Sequence, residues 1–123
     1  MAMRVRRCAA LVIAGALFAG SAEGQTRQPA KSVNPANDKL VQLSPPERAG
    51  TLARAVGHWC IGTETFAMGV VAAGSGAGNA YWSLRCADGT AWAIQVDPSA
   101  EVIAIDCDSF KEAGAGKECF KKF

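Results

Sequence analysis

One histidine, one tyrosine and no Cys-x-x-Cys pair in 123 residues remove several kinds of chemistry at the outset. A lone His58 supplies no histidine cluster for zinc, and no serine or thiolate nucleophile accompanies it in the pattern of a hydrolytic centre. Without Cys-x-x-Cys spacing, a thioredoxin-like redox role has no support. The glycine-rich run at 74–78 has no Lys-Ser/Thr successor, so it reads as a hairpin tip, not a phosphate cradle.

Charge of one sign is also missing. Three of the thirteen basic residues and one of the eleven acidic ones lie within residues 1–24, which leaves ten of each beyond them. A balanced domain has no basic face for nucleic acid, and Lys117, Lys121 and Lys122 read as a solvated helix face. Nor does any apolar run reach the about 20 residues that a bilayer span requires. The longest, residues 9–19, is short and rich in Ala and Gly.

That run belongs to a different pattern. Arg4, Arg6 and Arg7 precede it and small residues follow at Gly20, Ala22 and Gly24, the three-part signature of a cleavable secretory signal over residues 1–24. Cleavage after Gly24 is preferred to cleavage after Ala22. Cys8 lies ahead of the apolar run, so it is removed with the signal and cannot carry a lipid. The expectation is a periplasmic or secreted protein with no transmembrane segment after cleavage.

Residues 25–43 are dominated by Gln, Pro, Asn, Lys and Ser with isolated aliphatics. Such a composition buries too little apolar surface to offset ordering entropy, so a flexible polar arm is expected there and a single domain over 44–123. The four cysteines left after cleavage, Cys60, Cys86, Cys107 and Cys119, make an even count in an oxidising compartment and predict two disulfides.

Ser44-Pro45-Pro46-Glu47 combines a Ser cap, Pro in the first turn and the capping-box Glu. A helix over 45–56 follows, with Ala49, Leu52, Ala53 and Val56 on one face and Gly57 as its stop. Beyond Trp59 the period changes toward two, and turn residues divide the chain into strands near 63–72, 79–86, 90–96 and 101–107. A three-residue loop, Ala87-Asp88-Gly89 with Gly89 left-handed, sets Leu84 opposite Trp92 and Trp82 opposite Ile94. A four-residue turn at 98–101 sets Asp97 opposite Val102, Ile94 opposite Ile105 and Trp92 opposite Cys107. One sheet face then carries Trp82, Leu84, Cys86, Trp92, Ile94, Val96, Ile103, Ile105 and Cys107. The predicted fold is α+β: a four-stranded antiparallel meander covered on that face by the amino-terminal helix and a short carboxyl-terminal helix near 116–122.

In this register Cys86 and Cys107 stand two strand spacings apart, about 9 to 10 Å, beyond the roughly 7 Å a disulfide allows. That disfavours Cys86–Cys107 and with it Cys60–Cys119. Of the two schemes left, Cys60–Cys86 with Cys107–Cys119 is preferred, and the crossed scheme stays open.

Candidate chemistry is sparse. His58 could act as a base or ligand, but its place after a helix stop favours a capping or packing role. Asp106 and Asp108 flank Cys107; alternation puts Asp106 on the outer face, and Asp108 is expected to cap the turn at 109–111. Tyr81, Ser83 and Arg85, with Gln95 on the next strand, share the face opposite Trp82 and form the candidate contact surface. Residues 81–86, followed by Asp88-Gly89 and an alternating strand, resemble the opening hairpin of periplasmic C-type lysozyme inhibitors of the membrane-bound type. The later Ser-Gly-containing inhibitory loop of that family has no counterpart, so no site residue is carried over. The expected function is an exported, non-enzymatic protein-interaction module, an envelope accessory subunit or inhibitor-like protein, without cofactor or metal. The alternative is a small periplasmic enzyme using His58 with a carboxylate.

Overall fold

The computed structural model describes residues 32–113 and 116–123. The expected signal over 1–24, its cleavage and the first part of the expected arm lie outside the described residues. The elements in chain order are α1 (Pro35–Gln42), α2 (Pro45–Val56), β1 (Gly62–Val70), β2 (Ala80–Cys86), β3 (Ala91–Val96), β4 (Val102–Asp106) and α3 (Cys107–Ala113). The strands form one antiparallel sheet in the order β1-β2-β3-β4, so the domain is a small α+β meander.

Helix α2 forms as its residues dictate. Ser44 accepts from the Glu47 N–H while the Glu47 carboxylate accepts from the Ser44 N–H, and Gly57 ends the helix. Its buried stripe, Ala49, Leu52 and Ala53, packs on the sheet. The approach is close: a methyl group on Gly62 would sit 2.5 Å from the Ala49 carbonyl oxygen, so β1 can pass under α2 only with glycine there.

Helix α1 corrects the expected arm, because residues 34–42 are folded onto the core. Polar groups anchor it together with Ala36, Leu40 and Leu43, which pack on the core. The buried Asn34 caps the helix by accepting from the Asn37 N–H, and its own amide donates to the carbonyls of Gly78 and Val96, both at 2.9 Å. Asn37 Oδ1 accepts from the Trp82 indole N–H at 2.7 Å. At the far end, Arg48 of α2 donates to the carbonyls of Leu40, Val41 and Leu43, adding to the Leu43 N–H bond that Leu40 already accepts. Leu40 is the buried aliphatic of α1 and joins the core cluster.

The β2–β3 hairpin has the expected register, with Trp82 opposite Ile94 and Leu84 opposite Trp92. Gly89 closes the loop at φ +89°. The next hairpin is one residue tighter than expected. Asp97 pairs with Glu101, and the Asp97 carboxylate accepts from the N–H groups of Ser99 and Glu101. Ala100 takes the left-handed conformation at φ +70°. Trp92 therefore faces Asp106, Ile94 faces Ala104 and Val96 faces Val102. A slip of one residue moves every side chain of β4 to the other face, so Ile103 and Ile105 leave the face assigned to them. Ala104 packs against the first core instead, and Ile105 joins a second cluster.

The helices accordingly divide between the two faces. α1 and α2 cover the face of Trp82, Leu84, Ile94 and Val96. α3, which occupies residues 107–113 and not 116–122, contributes Phe110 to the opposite cluster with Met68 and Ala93. Its cap is Asp106, not Asp108: the Asp106 carboxylate accepts from the Ser109 N–H at 2.9 Å and the Ser109 hydroxyl at 2.7 Å. These bonds hold the Asp106 carboxyl below the usual aspartate range.

Candidate functional site

The disulfides join Cys60 to Cys86 and Cys107 to Cys119, with α-carbons 5.3 and 5.8 Å apart. The first staples the segment after α2 to the end of β2 and is buried, Cys60 at 7% and Cys86 at 2% exposure. The second joins the start of α3 to the carboxyl-terminal segment, and both its cysteines are half-buried.

That segment changes the meaning of the predicted contact surface. Tyr81, Ser83, Arg85 and Gln95 do share one face, as alternation required, but residues 116–123 lie across it. Ser83 is completely buried, and its hydroxyl accepts from the Phe120 N–H at 2.7 Å. Tyr81 donates to Gln95 Oε1 at 2.8 Å, while its ring meets Phe110 and Phe123 with centroids 5.6 and 5.7 Å away. The Arg85 guanidinium lies 4.7 Å from the Phe120 ring centroid and pairs with Glu64 at 3.2 Å. Lys117 Nζ stands 4.3 Å from the Phe123 ring centroid and 5.8 Å from that of Tyr81. The segment therefore takes Ser83 out of the expected contact surface, while Tyr81, Arg85 and Gln95 stay partly exposed, the Arg85 side chain at 43%. Strand alternation places residues on a face, but only the fold shows what crosses it.

His58 is exposed beyond the end of α2, beside Gly57, Cys60 and Ile61. Among the described residues no hydrogen bond or ion pair joins it to a carboxylate, and no group of three His, Cys, Asp or Glu side chains could hold a metal ion. Asp106 spends both oxygens on Ser109. A carboxylate–histidine pair of the kind the enzymatic alternative needs is therefore not assembled among the described residues.

Open apolar surface lies elsewhere. β4 is a sheet edge, and Val102 and Ile103 on its two sides are 46% and 50% exposed. Val102 continues into a groove of about 430 Å³ lined by Pro35, Ala36, Leu40, Leu43 and Pro98. Neither feature was foreseen, since the groove needs α1 and the exposure of Ile103 needs the tighter 97–101 turn. At the other edge, β1 carries two irregularities in its pairing with β2, and the Phe123 N–H donates to its Met68 carbonyl. Such bulges and coverings blunt an edge strand. β4 has no comparable irregularity in its pairing with β3.

No protein-family model matches this chain, and neither a curated protein nor a solved structure matches it. Two disulfides, and no described helix long and apolar enough to cross a membrane, are compatible with a protein outside the cytoplasm.

Proposed function

We propose that the chain is an exported, non-enzymatic interaction module of the cell envelope, an accessory or inhibitor-like subunit that binds a protein through β4 and the groove beside it. The observation that carries this reading is the edge of β4, which no described strand pairs, with exposed Val102 and Ile103, continuous with an apolar groove. An extended partner segment added to such an edge gains main-chain hydrogen bonds, and pockets beside the edge accept its alternate side chains. The occupant that fits is an extended protein segment with an aliphatic side chain at alternate positions. Export is supported by the pattern of residues 1–24 together with the two disulfides.

The test places a photocrosslinking residue at Ile103 in the exported protein and identifies what it captures in intact cells. One defined envelope protein should be captured, and Val102→Lys should abolish capture while the thermal midpoint stays within a few degrees. His58→Ala should leave capture unchanged. Capture that persists undiminished in Val102→Lys, or no protein product at all, would overturn the reading.

A further inference from the structure

The two disulfides do different work. Cys60–Cys86 is enclosed in the first core, whereas Cys107–Cys119 is half-buried and fixes residues 116–123 over the second face. We propose that Cys107–Cys119 is a redox latch: its reduction by a dithiol releases residues 116–123 as a strap and uncovers the face of Tyr81, Ser83 and Gln95, with the sheet intact. This inference is independent of the β4 edge.

Three observations carry it. First, among the described residues the strap is held, besides the disulfide, by the Phe120 N–H to Ser83, the Phe123 N–H to the Met68 carbonyl, the Glu118–Lys111 ion pair, and side-chain contacts of Phe120 with Phe66 and Arg85 and of Phe123 and Lys117 with Tyr81. Closing a loop of twelve residues' separation is the strongest single restraint among them. Second, Phe120 is held at φ +58°, a left-handed conformation that a bulky residue disfavours, so the released backbone relaxes. Third, the first face needs nothing from the strap, because its core is closed by α1, α2 and the buried disulfide. What the strap leaves behind is a mixed face of the kind that contacts proteins, with a Tyr ring, a hydroxyl and an amide beside Met68 and Phe66.

The chemistry balances with a dithiol as reductant. Its thiolate attacks one sulfur of the Cys107–Cys119 bond and forms a mixed disulfide, and its second thiol displaces that link. Two electrons and two protons pass to Cys107 and Cys119, which leave as thiols, and the reductant leaves as a cyclic disulfide. The greater exposure of this bond directs attack to it in preference to the enclosed one.

The experiment uses the full exported protein with limiting dithiothreitol in native buffer, followed by iodoacetamide and peptide mapping. Cys107 and Cys119 should be labelled while Cys60 and Cys86 remain bridged, and trypsin should cut after Lys117 and Lys121 at least about tenfold faster than in the oxidised protein. The double variant Cys107→Ser/Cys119→Ser should stay folded and be cut at the reduced protein's rate without any reductant. Equal labelling of all four cysteines, prior labelling of Cys60 and Cys86, or unchanged cleavage would overturn the latch. So would a double variant that fails to fold, because the bond would then be holding the sheet and not the strap.

Discussion

The two faces of the sheet are closed by different means. On the first, two helices bury Leu52, Leu84, Ile94 and Trp82 around an enclosed disulfide, and a network from Asn34, Asn37 and Arg48 satisfies the helix ends. On the second, a seven-residue helix and an irregular segment cover a smaller cluster, and one half-buried disulfide ties the cover down. The difference teaches that the fold's stability and its adaptability reside on opposite sides of one sheet. A lesion on the first face should act on the whole molecule; a lesion on the second should act on the cover.

The largest expected effect is Leu84→Ala, which empties a fully buried site on the first face. A loss of about 3 to 5 kcal/mol should appear in chemical denaturation as a lower midpoint for the entire domain. Next comes Asn34→Ala. It leaves two buried carbonyls without their donor, and a loss of about 2 to 3 kcal/mol should be accompanied by faster amide exchange throughout α1. Ser83→Ala crosses to the second face, where it removes the acceptor of the Phe120 N–H. Here the global midpoint should fall by only about 1 kcal/mol, while tryptic cleavage after Lys121 accelerates. A global collapse in Ser83→Ala would erase the contrast between the faces.

Acid should separate them more gently. Glu118 accepts from Lys121 at 2.7 Å and Lys111 at 3.4 Å, and these hydrogen bonds, followed by the charges of the same two lysines, hold its carboxyl below the usual glutamate range. A carboxylate depressed in the folded state contributes stability that is present above its unfolded value and lost as pH falls through its folded value. Strap cleavage by an acid-active protease should therefore be flat near neutrality and rise below the ordinary glutamate range. The effect is small because the group is exposed. Glu118→Gln should flatten that rise.

The smallest effect tests the hairpin that divided the faces. Ala100 is left-handed at φ +70°, a conformation that glycine accepts without the Cβ penalty. Ala100→Gly should raise the thermal midpoint by up to about 0.5 to 1 kcal/mol equivalent, after the entropy cost of glycine is set against the relieved strain.

That residue also shows what the sequence could and could not disclose. α2 and the β2–β3 loop were legible because Ser44, Glu47 and Gly89 are the residues their local geometry asks for. The 97–101 turn was not, because Ala100 sits where a glycine or asparagine would be expected, and the misread turn carried Ile103 and Ile105 to the wrong face. α1 escaped because its composition is polar and part of its attachment is distant: Asn34 reaches Gly78 and Val96, and the short period of Ala36, Leu40 and Leu43 is diluted by Gln, Asn and Lys. Strand spacing was enough to disfavour Cys86–Cys107 even with the register off by one, and the preferred scheme of the two left open is the one observed. Of the candidate site, alternation put Tyr81, Ser83, Arg85 and Gln95 together correctly, but the cover arrives from more than thirty residues along the chain, as the Phe120–Ser83 bond shows. His58 was legible as a helix-end residue, but it is exposed there, and among the described residues it shows neither the capping bond nor the packing expected of it.

The aromatic residues are divided as sharply as the packing. Trp82 and Trp92 belong to the first core, and Trp59 meets Trp92 edge to face at 6.1 Å. The one tyrosine of the chain, Tyr81, packs on the second face against Phe110 and Phe123. Indole can be excited to the red of the phenol band, and phenol emits to the blue of indole, so the protein carries a distinguishable native optical reporter for each side of its sheet. A change confined to the strap should alter the tyrosine signal and leave the tryptophan spectrum still, whereas loss of the helical side should move both together.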